Sequence, residues 1–275
     1  LFNAAGCCPN PNGDQTIMTG PGLDPYGNFP VVNPLGGSFS LRLGSTAVGG
    51  LADRISQTFF VTAANANFTY RYAVVLNDPT TGHTQAQKPK FTSEIIDTLG
   101  NVIPCTTYSV QAGTGIPGFT TSALTVNGNV ISKNWTDVIL DLTPNIGQNV
   151  TIQFTVYDCG PSGHFAYAYL DGLCTNFVTS IADTTCPNVP VTMCAPSGFS
   201  TTTWNGPGVV NDPNTCITAV LPGIYTCTTV IIPGCPGPTF THTLITNPFP
   251  VLSFTAVNTG PCSTQYTFNS SSTIA

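Results

Sequence analysis

Apolar and polar positions largely alternate with a period of two over 39–43, 68–76, 138–142, 150–157 and 165–169, the spacing that puts successive side chains on opposite faces of a β-strand. Gly, Pro and Asn punctuate these runs, and no window carries the 3.6-residue period of an amphipathic helix. So many strands, spread over about 170 residues with long loops between them, predict a two-sheet jelly roll over 1–178. Near residue 179 the register restarts, and shorter runs at 189–193, 216–220, 224–231 and 239–245 predict a small β-sandwich over 179–249. From Pro250 the runs 251–257 and 265–268 predict the first two strands of a third sandwich in 250–275. Two strands do not close a core, so the natural polypeptide is expected to continue.

Composition narrows the setting. Of 275 residues, 41% are hydrophobic and 10% aromatic, enough for real cores, while only 7% are charged. Between Thr175 and Ala275 there is no Lys or Arg, and the net charge is -6, so a nucleic-acid partner has no electrostatic handle. Eleven cysteines point to an oxidising, extracellular location. No run reaches the length of a membrane-spanning helix, which argues against membrane insertion. The first residues lack the basic start and long apolar centre of a signal peptide, so a mature protein or a fragment is expected.

Several segments carry a resemblance. Residues 22–30, 40–44, 68–79, 100–105, 146–150 and 163–169 resemble a jelly-roll module of very large secreted cell-surface proteins of gliding, Bacteroidota-type bacteria. The segments 191–193, 204–209, 222–225 and 234–235 are similar to the Ig-like repeats that follow such modules, and the tail resembles the start of a PKD-type sandwich. The resemblance implies a stalk or adhesive segment exported by type IX secretion, serving attachment or gliding, with neighbouring modules of the same chain as partners.

Strand parity restricts the cysteines. If Val191, Met193 and Ile217 face inward, Cys194 and Cys216 face outward on neighbouring strands, so that a cross-strand bond is expected. The alternative is an immunoglobulin pin from Cys194 to Cys227 across Trp204, with Tyr225 as a tyrosine corner. Cys186 and Cys235 sit at the two edges of the same segment and form a further candidate pair. Cys159 and Cys174 lie beyond opposite ends of one strand, roughly 20 Å apart, too far to bond. Cys105 with Cys159, and Cys7 or Cys8 with Cys174, are the pairs expected in the first segment.

The acid and base inventory is thin: three His, one Glu and eleven Asp, without a nucleophile elbow, a zinc-protease helix or a phosphate loop. No tuned titratable pair can be assembled, so the chain is expected not to be an enzyme and to need no cofactor beyond a structural calcium. Asp78 and His83 after one strand, and Asp158 and His164 around the turn before another, form a candidate metal cluster if those strands are neighbours. The plainer reading has each Asp capping its own turn. Asp171, with Asp24 and Asn28 of the N-terminal loop, is a second candidate, in the place where jelly rolls often hold calcium. Tyr70, Tyr72, Tyr167 and Tyr169 form either a sugar-stacking platform for cell-surface or environmental glycans or part of the core. Thr98 and Thr184, each following an Asp, resemble the O-glycosylation acceptors of the same bacterial group. The sequence thus favours a non-enzymatic surface adhesin or stalk segment. A carbohydrate-binding module of a secreted hydrolase and a self-assembling filament subunit are the alternatives.

Overall fold

A computed structural model of the chain describes residues 13–113, 118–173, 180–196, 199–232, 234–247, 254–258 and 266–270. The fold is all-β: the described residues form strands and two single-turn 3-10 helices, with no α-helix among them. Contacts divide the chain into two compact units. The first comprises Leu1–Phe177, Ser197–Ser200 and Val230–Pro238, and the second Val178–Pro196, Thr201–Thr229 and Thr239–Ala275.

The first unit contains β1 (Gln15–Thr19), β2 (Phe39–Gly44), β3 (Ala52–Phe60), β4 (Asn67–Asp78), β5 (Lys90–Ile96), β6 (Tyr108–Gln111), β7 (Thr120–Thr121), β8 (Asn129–Asp141), β9 (Asn149–Tyr157) and β10 (Ala166–Leu173). One sheet runs in the order β1-β2-β10-β4-β8-β7 and the other β3-β9-β5-β6, with antiparallel neighbours throughout. Tyr70, Tyr72, Val74 and Leu76 of β4 share one apolar cluster with Phe91 and Ile95 of β5 and Ile152 and Val156 of β9, so the two sheets face each other across it. The intervening β4 residues Ala73 and Val75 face the other way, into a second cluster with Phe29, Val31, Phe165, Tyr167 and Tyr169. The central strand is therefore buried on both faces, which explains its almost uninterrupted apolar run.

The second unit contains β11 (Ser180–Thr185), β12 (Val191–Cys194), β13 (Thr201–Gly206), β14 (Val209–Asp212), β15 (Cys216–Ala219), most of β16 (Gly223–Ile232) and β18 (Phe240–Thr246). The two-residue strand β17 (Cys235–Pro236) pairs with the last residues of β16 in a hairpin that belongs to the first unit. In the main sheet β11 pairs parallel with β18, β18 antiparallel with β16, and β13 and β14 follow; β12 and β15 form a separate antiparallel pair. Trp204, Tyr225, Met193 and Leu244 are buried. The Tyr225 hydroxyl donates back to the Leu221 carbonyl at 2.7 Å, fixing the corner at which β16 begins. In 250–275, β19 (Phe254–Asn258) and β20 (Tyr266–Ser270) form an antiparallel hairpin.

Two disulfides are present among the described residues. Cys194 bonds Cys216 directly across the β12–β15 pair, the bond that parity favours, and Cys227 is left as a buried free thiol, so the alternative pin to Cys227 is not formed. The pairing expected for Cys105 is corrected: it bonds Cys235, not Cys159. In the β5–β9 ladder Tyr157 lies opposite Lys90 and Thr151 opposite Ile96. Cys159 therefore follows one end of β5 and Cys105 the other, about 20 Å apart at strand rise. The bond expected from Cys186 to Cys235 is likewise absent, and Cys186 is free and exposed. Because β11 runs parallel to β18 with Thr185 opposite Thr246, Cys186 follows the end of β18 rather than the segment leading into it. Cys7, Cys8 and Cys174 lie outside the described residues.

Candidate functional site

The four tyrosines do not form a platform. The β4–β10 register sets Tyr72 opposite Leu170 and Tyr169 opposite Ala73, which sends the two pairs to opposite faces of one sheet. All four are at most 2% exposed. Tyr70 hydrogen-bonds Ser93, and Tyr72 hydrogen-bonds Tyr108, inside the inter-sheet core. On the other face Tyr167 and Tyr169 donate to Asp24 Oδ2 at 2.7 and 2.9 Å. Burial, and then the negative Asp24 carboxylate, holds both phenols above their ordinary range, so they stay protonated donors.

Asp24 is the hub of that face. It opens a turn in which Asn28 N–H reaches its carbonyl at 2.9 Å, and Asn28 itself is exposed with a φ of 52°. The other carboxylate oxygen, Oδ1, accepts the amides of Tyr26 and Gly27 at 2.9 and 2.6 Å. With four donors on one buried carboxylate, its lone pairs are committed to protein groups. Asp171, on the same face of β10, instead accepts Asn33 Nδ2 at 2.7 Å. Asp24, Asn28 and Asp171 thus make separate hydrogen bonds, and those of Asp24 and Asp171 clamp the 22–36 loop on the sheet.

The candidate metal cluster changes membership in a similar way. Its carboxylates are taken: Asp78 Oδ1 pairs with Lys88 Nζ at 2.7 Å, and Asp158 Oδ1 accepts the Ala166 amide at 3.0 Å. Burial pushes the Asp158 carboxyl up to about 6. The two histidines do meet, with perpendicular rings 4.8 Å apart between centroids. The third member is Cys159, expected from the sequence in a disulfide with Cys105. Its Sγ lies 3.3 Å from His164 Nδ1. One ligating atom from each of His83, Cys159 and His164 lies within 4.8 Å of the other two.

Local sequence builds this triangle. The β9–β10 connection is tight: Cys159 N–H bonds the His164 carbonyl at 3.1 Å and Ser162 N–H the Cys159 carbonyl at 3.1 Å. Ser162 and Gly163 both have positive φ, 70° and 109°, so this segment, Cys-Gly-Pro-Ser-Gly-His, folds Cys159 back beneath His164. His83 arrives on the β4–β5 connection, and Gly160 N–H donates to the Gln87 carbonyl of that connection at 3.0 Å. Cys159 is wholly buried and His164 nearly so, while His83 is half-buried. Burial raises the Cys159 thiol above its ordinary range and lowers the His164 imidazole, so the pair rests as thiol and neutral ring. A buried thiol of this kind lacks the electropositive surroundings that make a nucleophile. The signal in the sequence was the spacing Cys-x4-His across two glycines and a proline.

The remaining site residues lie apart from these clusters. Thr98 is exposed in a turn whose amides at Leu99 and Asn101 donate to Asp97 Oδ1, each at 2.8 Å. Thr184 is exposed on β11, beside Asp183, whose carboxylate meets His242 Nε2 at 2.7 Å. An apolar cavity of about 260 Å³ opens at the rim of the inter-sheet core between Leu41, Ile55, Phe59, Phe68, Phe154 and Leu170.

The sequence matches no known family and no curated protein. Among solved structures, a carbohydrate-binding module, TmCBM61 in complex with beta-1,4-galactotriose, is similar with a TM-score of 0.28 and 10% sequence identity, over 58% of this chain and 83% of that one. A likeness at that score does not bear on what this chain binds.

Proposed function

We propose that the chain is a non-enzymatic structural segment of an extracellular surface protein, a jelly-roll-like unit followed by an Ig-like one, serving as a stalk or attachment module. The observation that carries this reading is the inward commitment of its polar chemistry. Asp24 with Tyr167 and Tyr169, Tyr70 with Ser93, and Tyr72 with Tyr108 are spent on holding strands and loops together. Arg71 with Asp137 and Lys88 with Asp78 add ion pairs across the same elements. Polar groups so used stiffen a scaffold and leave little tuned acid–base chemistry for turnover.

The Ig-like reading of the second unit is supported by the parallel β11–β18 pair at the sheet edge, the buried Trp204 on β13 and the Tyr225 corner two residues before Cys227. Two disulfides fit an oxidising exterior. The two-sheet order of the first unit supports the jelly-roll reading. A glycan-binding face would have to be built from residues other than the four buried tyrosines.

The test is localisation joined to attachment. An antibody raised against the chain should label intact cells of its source, and its Fab fragments should reduce their attachment to surfaces. Labelling confined to permeabilised cells would overturn the proposal.

A further inference from the structure

Beside this triangle lies a buried polar atom without a partner. His83 Nε2 is buried and has no hydrogen-bond partner, whereas His83 Nδ1 lies 3.2 Å from the Thr81 carbonyl. That carbonyl accepts only, so the ring proton sits on Nδ1 and the Nε2 lone pair is left bare. His164 is arranged in the complementary sense. It bonds the backbone of Asn127 and turns Nδ1 to the Cys159 sulfur. Histidines that hold metal show this division, in which one ring nitrogen is fixed by a backbone or carboxylate acceptor and the other is left for the ion.

We propose that His83, Cys159 and His164 form a binding site for a divalent transition-metal ion of the zinc class. Two imidazoles and a thiol are the borderline and soft donors that such ions prefer over the oxygen sets of calcium or magnesium. At metal–nitrogen distances of about 2.0–2.1 Å and metal–sulfur of about 2.3 Å, tetrahedral ligand atoms stand roughly 3.3–3.6 Å apart. The three atoms already lie within 4.8 Å of one another, with the sulfur and His164 Nδ1 at 3.3 Å, so side-chain rotation at half-buried His83 closes the set. On binding, the Cys159 thiol loses its proton to solvent and the sulfur bonds the ion. Three protein ligands leave a fourth position for water. The ion would tie the β4–β5 connection to the β9–β10 turn, two segments that already share the Gly160–Gln87 hydrogen bond and the His83–His164 ring contact.

The experiment is a cobalt(II) titration of the full chain, because thiolate ligation gives a sulfur-to-cobalt charge-transfer band that nitrogen or oxygen ligation does not. The expected result is one Co2+ bound per chain with that band, displaced by Zn2+. Cys159→Ser should abolish the band, and His83→Ala should weaken binding at least ~10-fold, by comparison with the 10–100-fold losses that follow even removal of a ligand's supporting partner. In a Trp204→Phe background, the Trp135 emission of His83→Ala reports whether the first unit remains folded, as expected for a substitution on a loop. Cys186→Ser, which alters an exposed thiol elsewhere, should leave the band unchanged. Absence of the band, its persistence in Cys159→Ser, or unchanged affinity in His83→Ala would overturn the proposal.

Discussion

Replacing Asp24 by Ala removes the acceptor for four donors at once, and the cost follows from where each donor lies. The Tyr167 and Tyr169 hydroxyls belong to side chains 2% exposed, and each buried donor left unmade costs about 1–3 kcal/mol. The Tyr26 and Gly27 amides lie in a part-buried turn, where water substitutes for the carboxylate and the loss falls to about 0.5 kcal/mol each. The sum is about 5 kcal/mol. With a urea dependence of about 2 kcal/mol per molar, the unfolding midpoint of the first unit should fall by about 2.5 M. A Trp204→Phe background leaves Trp135 as the reporter; its Nε1 donates to the Pro30 carbonyl at 2.7 Å and its ring stands 6.3 Å from that of Tyr169. The mechanism has its own signature. Removing the stranded hydroxyls as well, in Asp24→Ala with Tyr167→Phe and Tyr169→Phe, should recover about 2 kcal/mol, because an apolar pair is cheaper than an orphaned polar group. A midpoint shift under 0.5 M for Asp24→Ala, or a triple variant no more stable than the single one, would refute the account.

Three further outcomes are expected. A methyl group at Gly206 would fall on the Tyr225 ring, so Gly206→Ala should destabilise the second unit by about 1–3 kcal/mol, seen as an earlier Trp204 emission change on heating. Replacing both Cys194 and Cys216 by Ala releases a loop of 22 residues and should cost about 3 kcal/mol in the chain-entropy treatment, read from the same transition. Burial first, then the negative charges of Asp14 and Asp158, raises the Asp53 carboxyl from 3.8 to about 6. The protonated acid is thus favoured by folding, and its contribution is full below pH 3.8 and lost as pH rises through 6. Asp53→Asn should therefore flatten the fall in thermal midpoint between pH 5 and pH 7, and parallel wild-type and variant profiles would contradict this origin.

Most of the strong runs were legible because hydrophobic alternation reports burial directly, and β2, β4, β9, β10, β16 and β18 each occupy an apolar run. β3 was not legible. Its residues Ala52–Phe60 are mostly polar and exposed, and it is held at a sheet edge by backbone pairing to β9, which leaves no hydropathy signal. The tyrosine platform failed for a related reason. Parity within β4 and within β10 is visible in the sequence, but the register between them is not, and that register places the two tyrosine pairs on opposite faces. The Cys105 partner failed because pairing was inferred without the antiparallel β5–β9 ladder, which sends Cys105 and Cys159 to opposite ends. The Cys194–Cys216 bond needed only parity on two adjacent strands, which the sequence does carry.

Two polar convergences meet β10, one on the face of the strand and one at its leading turn, and their lone pairs distinguish them. At Asp24 four donors meet one anion, each oxygen takes two, and the group is complete without any visitor. At His83, Cys159 and His164 the protein brings together two ring nitrogens and a sulfur and supplies no bridging donor to the buried Nε2. A carboxylate hub can be satisfied by protons that neighbouring residues already hold, whereas the buried Nε2 lone pair of His83 faces no such proton and is satisfied by something electron-poor placed beside it. Asp24 therefore reads as a structural clamp despite being the more obvious cation ligand, and the His83, Cys159 and His164 triangle as the place where a cation fits.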